Sequence, residues 1–255
     1  MKAHSTPVSM AVHYRTVGQL PLPDGYRRVS AAPGSFGAWL RTIPLKASNT
    51  VYLYNGERKP NQTAQFAVLD ISVGRKDLQQ CADAVIRLYA EYLYASHQYS
   101  KIAFHATDGT LMDYSSWMKG YRFPLRHGKL QKQLTNKPCQ GETCFHDYLQ
   151  TVFSYAGTLS LSKELKTVSD PAAITAGDVF IRGGSPGHAV IVMDVAVNAA
   201  GQKTFTLAQS YMPAQDIHIL KNTAGTNTPW YQYNREKLLN TPEWIFEWNQ
   251  LMRFR

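Results

Sequence analysis

Residues 177–196, GDVFIRGGSPGHAVIVMDVA, carry the segment from which the rest of the chain can be ordered. Val190, Ile191, Val192 and Met193 follow one another without a polar break. That is the pattern of a strand covered on both faces, not of one that alternates between core and solvent. His188 opens this strand directly after a glycine-rich loop, so a titratable ring stands at a strand end where backbone can approach a ligand closely. Asn198 to Gly201 supplies the turn residues of a hairpin, and KTFTLAQSYM and DIHILK are the next short strands. Folding the chain about that turn sets Gln209 to Tyr211 opposite His188. Asp194 lies too far along its own strand to reach the ring.

Upstream, KDLQQCADAVIRLYAEYLYASHQ is the clearest helix. Asp77 is its expected N-cap, the helix is expected to run to Tyr94, and Leu78, Cys81, Ala82, Val85, Leu88, Tyr89 and Tyr92 recur on one apolar face. GSFGAWLRTIPLK reads as a short helix running into Pro44, AQFAVLDISVG as a buried strand, and CFHDYLQTVFSYAGTLSLSKEL as a second long helix ending near Gly157. Helices first, then a contiguous antiparallel sheet between Val179 and Leu220, is an α+β layout. The helix and the sheet each need a buried partner, and each can supply the other's. Residues 1–30 read as a basic, proline-containing lead-in and 31–255 as a single α+β domain.

With 255 residues, 44% hydrophobic and 12% aromatic, the chain is long enough for one large core. Its formal charge of +9 comes from Lys and Arg scattered singly, with no basic tail or recognition helix, so nucleic acid is not an expected partner. A mild attraction to anionic envelope polymers or lipid surfaces fits that charge better. No segment approaches the roughly eighteen apolar residues of a membrane span, and MKAHSTPVSM lacks the apolar middle of a signal peptide.

RGGSPG resembles a phosphate loop only superficially, because it precedes a strand and has no following Lys-Ser or Lys-Thr. Ser185 lacks the Gly-x-Ser-x-Gly elbow of a serine hydrolase. No cofactor is expected. Cys139 and Cys144, in KPCQGETC, suit a small disulfide-closed loop in an oxidising compartment or two idle thiols in a reducing one. A metal there would need two further ligands, for which only His146 and Asp147 offer themselves, and none is expected.

The chemistry-bearing candidates are then Cys81, His188 and Gln209. A thiol becomes a nucleophile when a helix N-terminus and a neighbouring imidazole stabilise its thiolate, and Cys81 falls near a helix start. His188 would act as base and then acid, and Gln209 could orient it through an amide oxygen. Gln80, beside Cys81, is a candidate for the oxyanion hole and substrate contact, although papain-like enzymes place that glutamine farther upstream. Gln79 is a second such candidate. Trp117 and Tyr211 are candidates to stack on substrate. Each has a plain structural alternative: Cys81 also lies on the helix's apolar stripe, His188 could cap its loop, and the aromatics could be core or rim.

A helix-borne cysteine, followed much later by a strand-borne histidine and a polar residue on the next strand, resembles the arrangement of papain-like and NlpC-type cysteine hydrolases. GDVFIRGGSPGHAVIVMDV is similar to their Gly-Asp-apolar strand, loop and His-initiated strand. A closer resemblance runs through FGAWLR, PLK, DLQQCADAVIRLYAEYLY, VFSYAGTLSL, GDVFIRGGSPGHAVIVMDV and LAQSYMPAQDIHIL, which together are similar to the bacterial domain-of-unknown-function family 4846. That resemblance implies relatives bearing export or lipoprotein leaders, hence a periplasmic or envelope location, and brings no activity of its own.

Two functions follow as expectations. One is a cysteine peptidase or amidase acting on a peptide, glycopeptide or other envelope polymer. The other is a catalytically inactive binding or assembly module that keeps a papain-like shape and holds a glycan or peptide.

Overall fold

The computed structural model describes residues 14–224, 227–233 and 237–255. MKAHSTPVSM and the rest of residues 1–13 of the lead-in lie outside the described residues. The described residues form an α+β structure with five α-helices and a large antiparallel sheet. The helices are α1 (Phe36–Thr42), α2 (Cys81–Ala95), α3 (Tyr114–Met118), α4 (Gly141–Tyr155) and α5 (Thr158–Glu164).

The central strand, His188–Asn198, is the one opened by the histidine, and its first nine residues are buried. On one side it pairs with Val179–Arg182, and on the other with Lys203–Gln209, across a turn closed by the Gly201 N–H to the Asn198 carbonyl. An extra residue at Met193 bulges this pairing, which ends at Ile191 opposite Ala208. Extending that register places Tyr211 opposite His188, and Gln209 on the near diagonal of the same face.

The sheet is wider than the segment 179–220. Gln65–Val68 adds beside His218–Leu220, Leu251–Arg253 beside Val179–Arg182, and Lys166–Thr167 beside that. Trp230–Gln232 pairs with Lys203–Gln209, and Tyr26–Arg28 with the far end of the central strand. The described part of the lead-in thus packs into the same layer, with Val17 and Leu20 buried in the helix-side core.

Alternation along the central strand divides the interior into two layers. Ala189, Ile191 and Met193 face a core shared with Ala82, Val85, Ile86 and Leu88 of α2. Val190 and Val192 face the other, with Phe180, Phe205, Leu207, Phe246 and Trp248. The helix therefore packs on the sheet, as its apolar face required, but it is buried on more than one side. Of the stripe read from the sequence, Ala82, Val85 and Leu88 are buried and Leu78, Cys81, Tyr89 and Tyr92 are half-buried, while Asp83, Ala84 and Ile86 are buried beside them. The second helix, expected to end near Gly157, ends as α4 at Tyr155, and the residues after Gly157 form a separate helix, α5.

Cys139 and Cys144 are joined as a disulfide, with Cα atoms 5.7 Å apart, across the start of α4. Cys81 is the free cysteine. No helix among the described residues is long and apolar enough to cross a membrane.

Candidate active site

The start of α2 is four residues later than Asp77. Gln80 has extended backbone, and its N–H donates to Asp83 Oδ2 at 3.0 Å, which begins the helix at Cys81. Asp77 is spent elsewhere: its Oδ1 accepts from the Ala214 N–H at 2.6 Å and from the Gln80 side-chain amide at 3.1 Å. The shift moves Cys81 to the first helical residue, where unpaired backbone N–H groups and the positive end of the helix dipole are concentrated.

The Cys81 thiol is half-buried. Burial pushes its pKa above the ordinary value; the Ala82 N–H opposes that rise, the Asp83 carboxyl adds to it, and the N–H groups of Cys81 and Ala189 favour the thiolate. Ala189 is the residue after His188, at the point where the central strand has lost its partner beyond Ala208. The cysteine thus approaches the open end of the strand from the helix layer.

The His188 ring packs at that strand end against Tyr211, Trp244 and Phe246, with ring centroids 4.8, 5.2 and 5.9 Å away. The loop before it has to be tight. A Cβ on Gly187 would run into the carbonyl oxygens of Gly184 and Arg182 and the Thr158 hydroxyl, so only glycine fits there. His188 Nε2 meets Gln209 Oε1 at 2.8 Å, while Nδ1 makes no hydrogen bond among the described residues. Burial holds the His188 pKa down to about 4, against the Gln209 hydrogen bond and the charge of Glu243, which raise it.

Behind Gln209 stand groups that the sequence did not single out. Gln209 Nε2 donates to Glu243 Oε2 at 2.7 Å, and Glu243 also accepts from Lys59 Nζ at 2.5 Å and Asn61 Nδ2 at 3.0 Å. Lys59 is only 5% exposed. His218 lies against the same amide, 3.5 Å from Gln209 Nε2. Trp244 was likewise unforeseen. Its neighbour Glu243 reaches the site because Thr241 and Trp244 close a turn, the Thr241 N–H donating to the Trp244 carbonyl at 2.9 Å.

The sequence candidates therefore separate. His188, Gln209 and Tyr211 share one end of the sheet, and Cys81 reaches it through Ala189. Tyr211 lies against the His188 ring, and its phenol is pushed up by partial burial and then by the charges of Glu243 and Cys81. No hydrogen bond joins the Cys81 sulfur to the imidazole. Gln80 stands next to Cys81 with its amide bound to Asp77. Gln79 is buried, its amide oxygen accepting from Arg87 and its carbonyl from the Ser210 hydroxyl. Trp117 sits in the helix-side core instead, on Tyr148 and under the Arg122 guanidinium, 3.8 Å from its ring. No cluster of three or more His, Cys, Asp or Glu side chains that could hold a metal occurs among the described residues.

A thiol and an imidazole that are both neutral at neutral pH, with one imidazole nitrogen fixed and the other unpaired, can begin acyl transfer by general-base attack. Comparisons with curated proteins and with solved structures found no match. The model of the family described as domain of unknown function (4846) matches residues 17–253, nearly the whole chain, and the protein belongs to that family.

Proposed function

We propose that this chain is a cysteine hydrolase, a peptidase or amidase with a papain-like or NlpC-like arrangement, acting on peptide or acyl-amide bonds. The observation that carries the reading is the state of His188: Nε2 is held by Gln209 while Nδ1 has no partner among the described residues, at the strand end approached by the first residue of α2. In the first step Cys81 attacks the carbonyl carbon as His188 Nδ1 takes the thiol proton. The tetrahedral oxyanion is stabilised by backbone N–H groups at the start of α2. Collapse returns that proton to the departing amine and leaves a thioester on Cys81. Water then attacks the thioester with His188 again as base, the C–S bond breaks, the proton passes from His188 to the departing Cys81 sulfur, and the acid product leaves with the thiol restored.

Export to the periplasm or envelope, with a peptide or glycopeptide substrate, belongs to the same proposal. It is supported by the Cys139–Cys144 disulfide, which persists in oxidising compartments. One observation favours the alternative, a binding module that retains the shape: the sulfur and the ring are not hydrogen-bonded to each other.

The two readings part on acylation. Incubation of the folded chain with p-nitrophenyl acetate should place an acetyl group on Cys81, read by peptide mass mapping. His188→Ala should slow that step by roughly 10²–10⁴-fold, the usual contribution of a positioned base. A Cys81 that stays unmodified, or that reacts no faster than in the urea-unfolded chain, would overturn the hydrolase reading and leave the binding module.

A further inference from the structure

The side-chain amide of Gln209 has two orientations, and its surroundings permit one. Glu243, as a carboxylate, only accepts hydrogen bonds, and its Oε2 lies 2.7 Å from Gln209 Nε2. His218 adds a second acceptor on the same nitrogen. Its Nδ1 lies 2.9 Å from the Asp216 carbonyl, an oxygen that can only accept, so Nδ1 carries the proton and Nε2 is left as a lone pair, 3.5 Å from the amide nitrogen. Turning the amide over would aim its oxygen at a carboxylate and a ring lone pair, and its NH2 at His188.

We infer that Glu243, held by Lys59 and assisted by His218, is a positioning residue: it fixes the Gln209 amide so that its oxygen faces His188, which locks the imidazole in the Nε2–H form with Nδ1 as the free base. The ion pair matters because Lys59 and Glu243 are 5% and 13% exposed, and a carboxylate so enclosed keeps its charge and its place only beside a cation. Asn61 satisfies the second oxygen of the carboxylate at 3.0 Å. The order of contacts is thus Lys59, Glu243, Gln209, His188. The purpose given to the lock rests on the hydrolase reading, but the lock itself does not.

Nitrogen-15 NMR of the imidazole reads the tautomer directly and needs no substrate. The native chain, at a pH where His188 is neutral, should show Nε2 as the protonated nitrogen. Glu243→Gln keeps an acceptor oxygen and should keep that form. The double variant Lys59→Met with Glu243→Met removes the acceptor without stranding a buried charge, and should lower the ratio of Nε2–H to Nδ1–H by about tenfold, the value of one buried hydrogen bond. Gln209→Met, which leaves the ion pair whole, should release the ring to the same extent. Circular dichroism identifies any variant that does not fold. A native ring protonated at Nδ1 would overturn the inference with no variant needed, and so would a folded double variant with the native ratio. Since acetylation of Cys81 is a separate readout, a locked ring beside an unreactive thiol would sink the hydrolase reading and leave the lock standing.

Discussion

The central strand carries two buried ionisable side chains, His188 at its start and Asp194 past its middle, and they are treated in opposite ways. Asp194 is closed on every side: Oδ1 accepts from Arg41 Nε at 2.7 Å and from the Val195 N–H at 2.9 Å, and Oδ2 accepts from Arg28 Nε at 2.7 Å. The arginines are themselves tied down, Arg28 to the Leu20 carbonyl and Arg41 to the Val29 carbonyl. Asp194 is the bolt that draws the N-terminal segment and α1 onto the sheet. His188 has one partner on Nε2, Gln209, itself held by Glu243, and none on Nδ1 among the described residues. A buried polar group with its hydrogen bonds filled reads as structure; one with a nitrogen left open reads as a group awaiting a partner.

The contrast is broken most easily at Asp194. Asp194→Ala should cost about 3–5 kcal/mol of unfolding free energy, because two guanidinium groups lose the charge they were arranged around. Urea denaturation measures it. A loss below about 1 kcal/mol would place the cluster with ordinary surface pairs and remove the distinction.

Acid should act at the other end of the strand. Burial holds His188 and His218 each at about 4, from 6.5 in the unfolded chain. Because the folded-state values are lowered, the unfolded chain takes up these protons first as pH falls. The contribution is fully present above pH 6.5 and is lost on the way down to about 4, by up to about 3 kcal/mol for His188. Urea midpoints taken at about pH 7 and about pH 4.5 should therefore differ less in His188→Asn than in the native chain, with His218 supplying the remainder. The same difference in both proteins would mean that the His188 ring titrates as if exposed.

How much of this could be read from the sequence follows from what each residue interacts with. The central strand, its hairpin and the facing of Gln209 to Tyr211 toward His188 are local, set by an apolar run and one turn. Helix α2 was visible from its stripe. Its start was not, because Asp77 looks like a cap and is instead bound to Ala214, 137 residues away. The flanking strands at Gln65, Leu251 and Tyr26 are too short to show a period, and pair with partners remote in sequence. Trp117 was misplaced for the opposite reason: an aromatic side chain carries no sign of which cavity it fills.

Glu243 and Lys59 are the instructive omissions. Charged residues are read as solvent-facing by default, and only an encounter between segments 184 residues apart buries these two together. Nothing in NTPEWIFEW or in YNGERKPN marks either. The sole hint lay in Gln209, whose amide, once assigned to a histidine, leaves a nitrogen that must be satisfied by something.

The smallest expected effect on stability is the sharpest on function. Cys81 stands at the open end of the strand and is half-buried, so Cys81→Ala removes one partly covered sulfur and should change the unfolding free energy by about 1 kcal/mol or less. The Asp194 cluster and the packing of Val85, Ile86 and Leu88 under the sheet are left untouched by it. The acetylation by p-nitrophenyl acetate described above should nevertheless disappear from that peptide, with the fold and the disulfide loop intact. A residue kept for packing would give the reverse, a loss well above about 2 kcal/mol, as for a large-to-small core change, with reactivity no different from that of an unfolded thiol. Measured on one pair of proteins, the two numbers decide whether the open end of the strand differs from its closed middle in kind or only in degree.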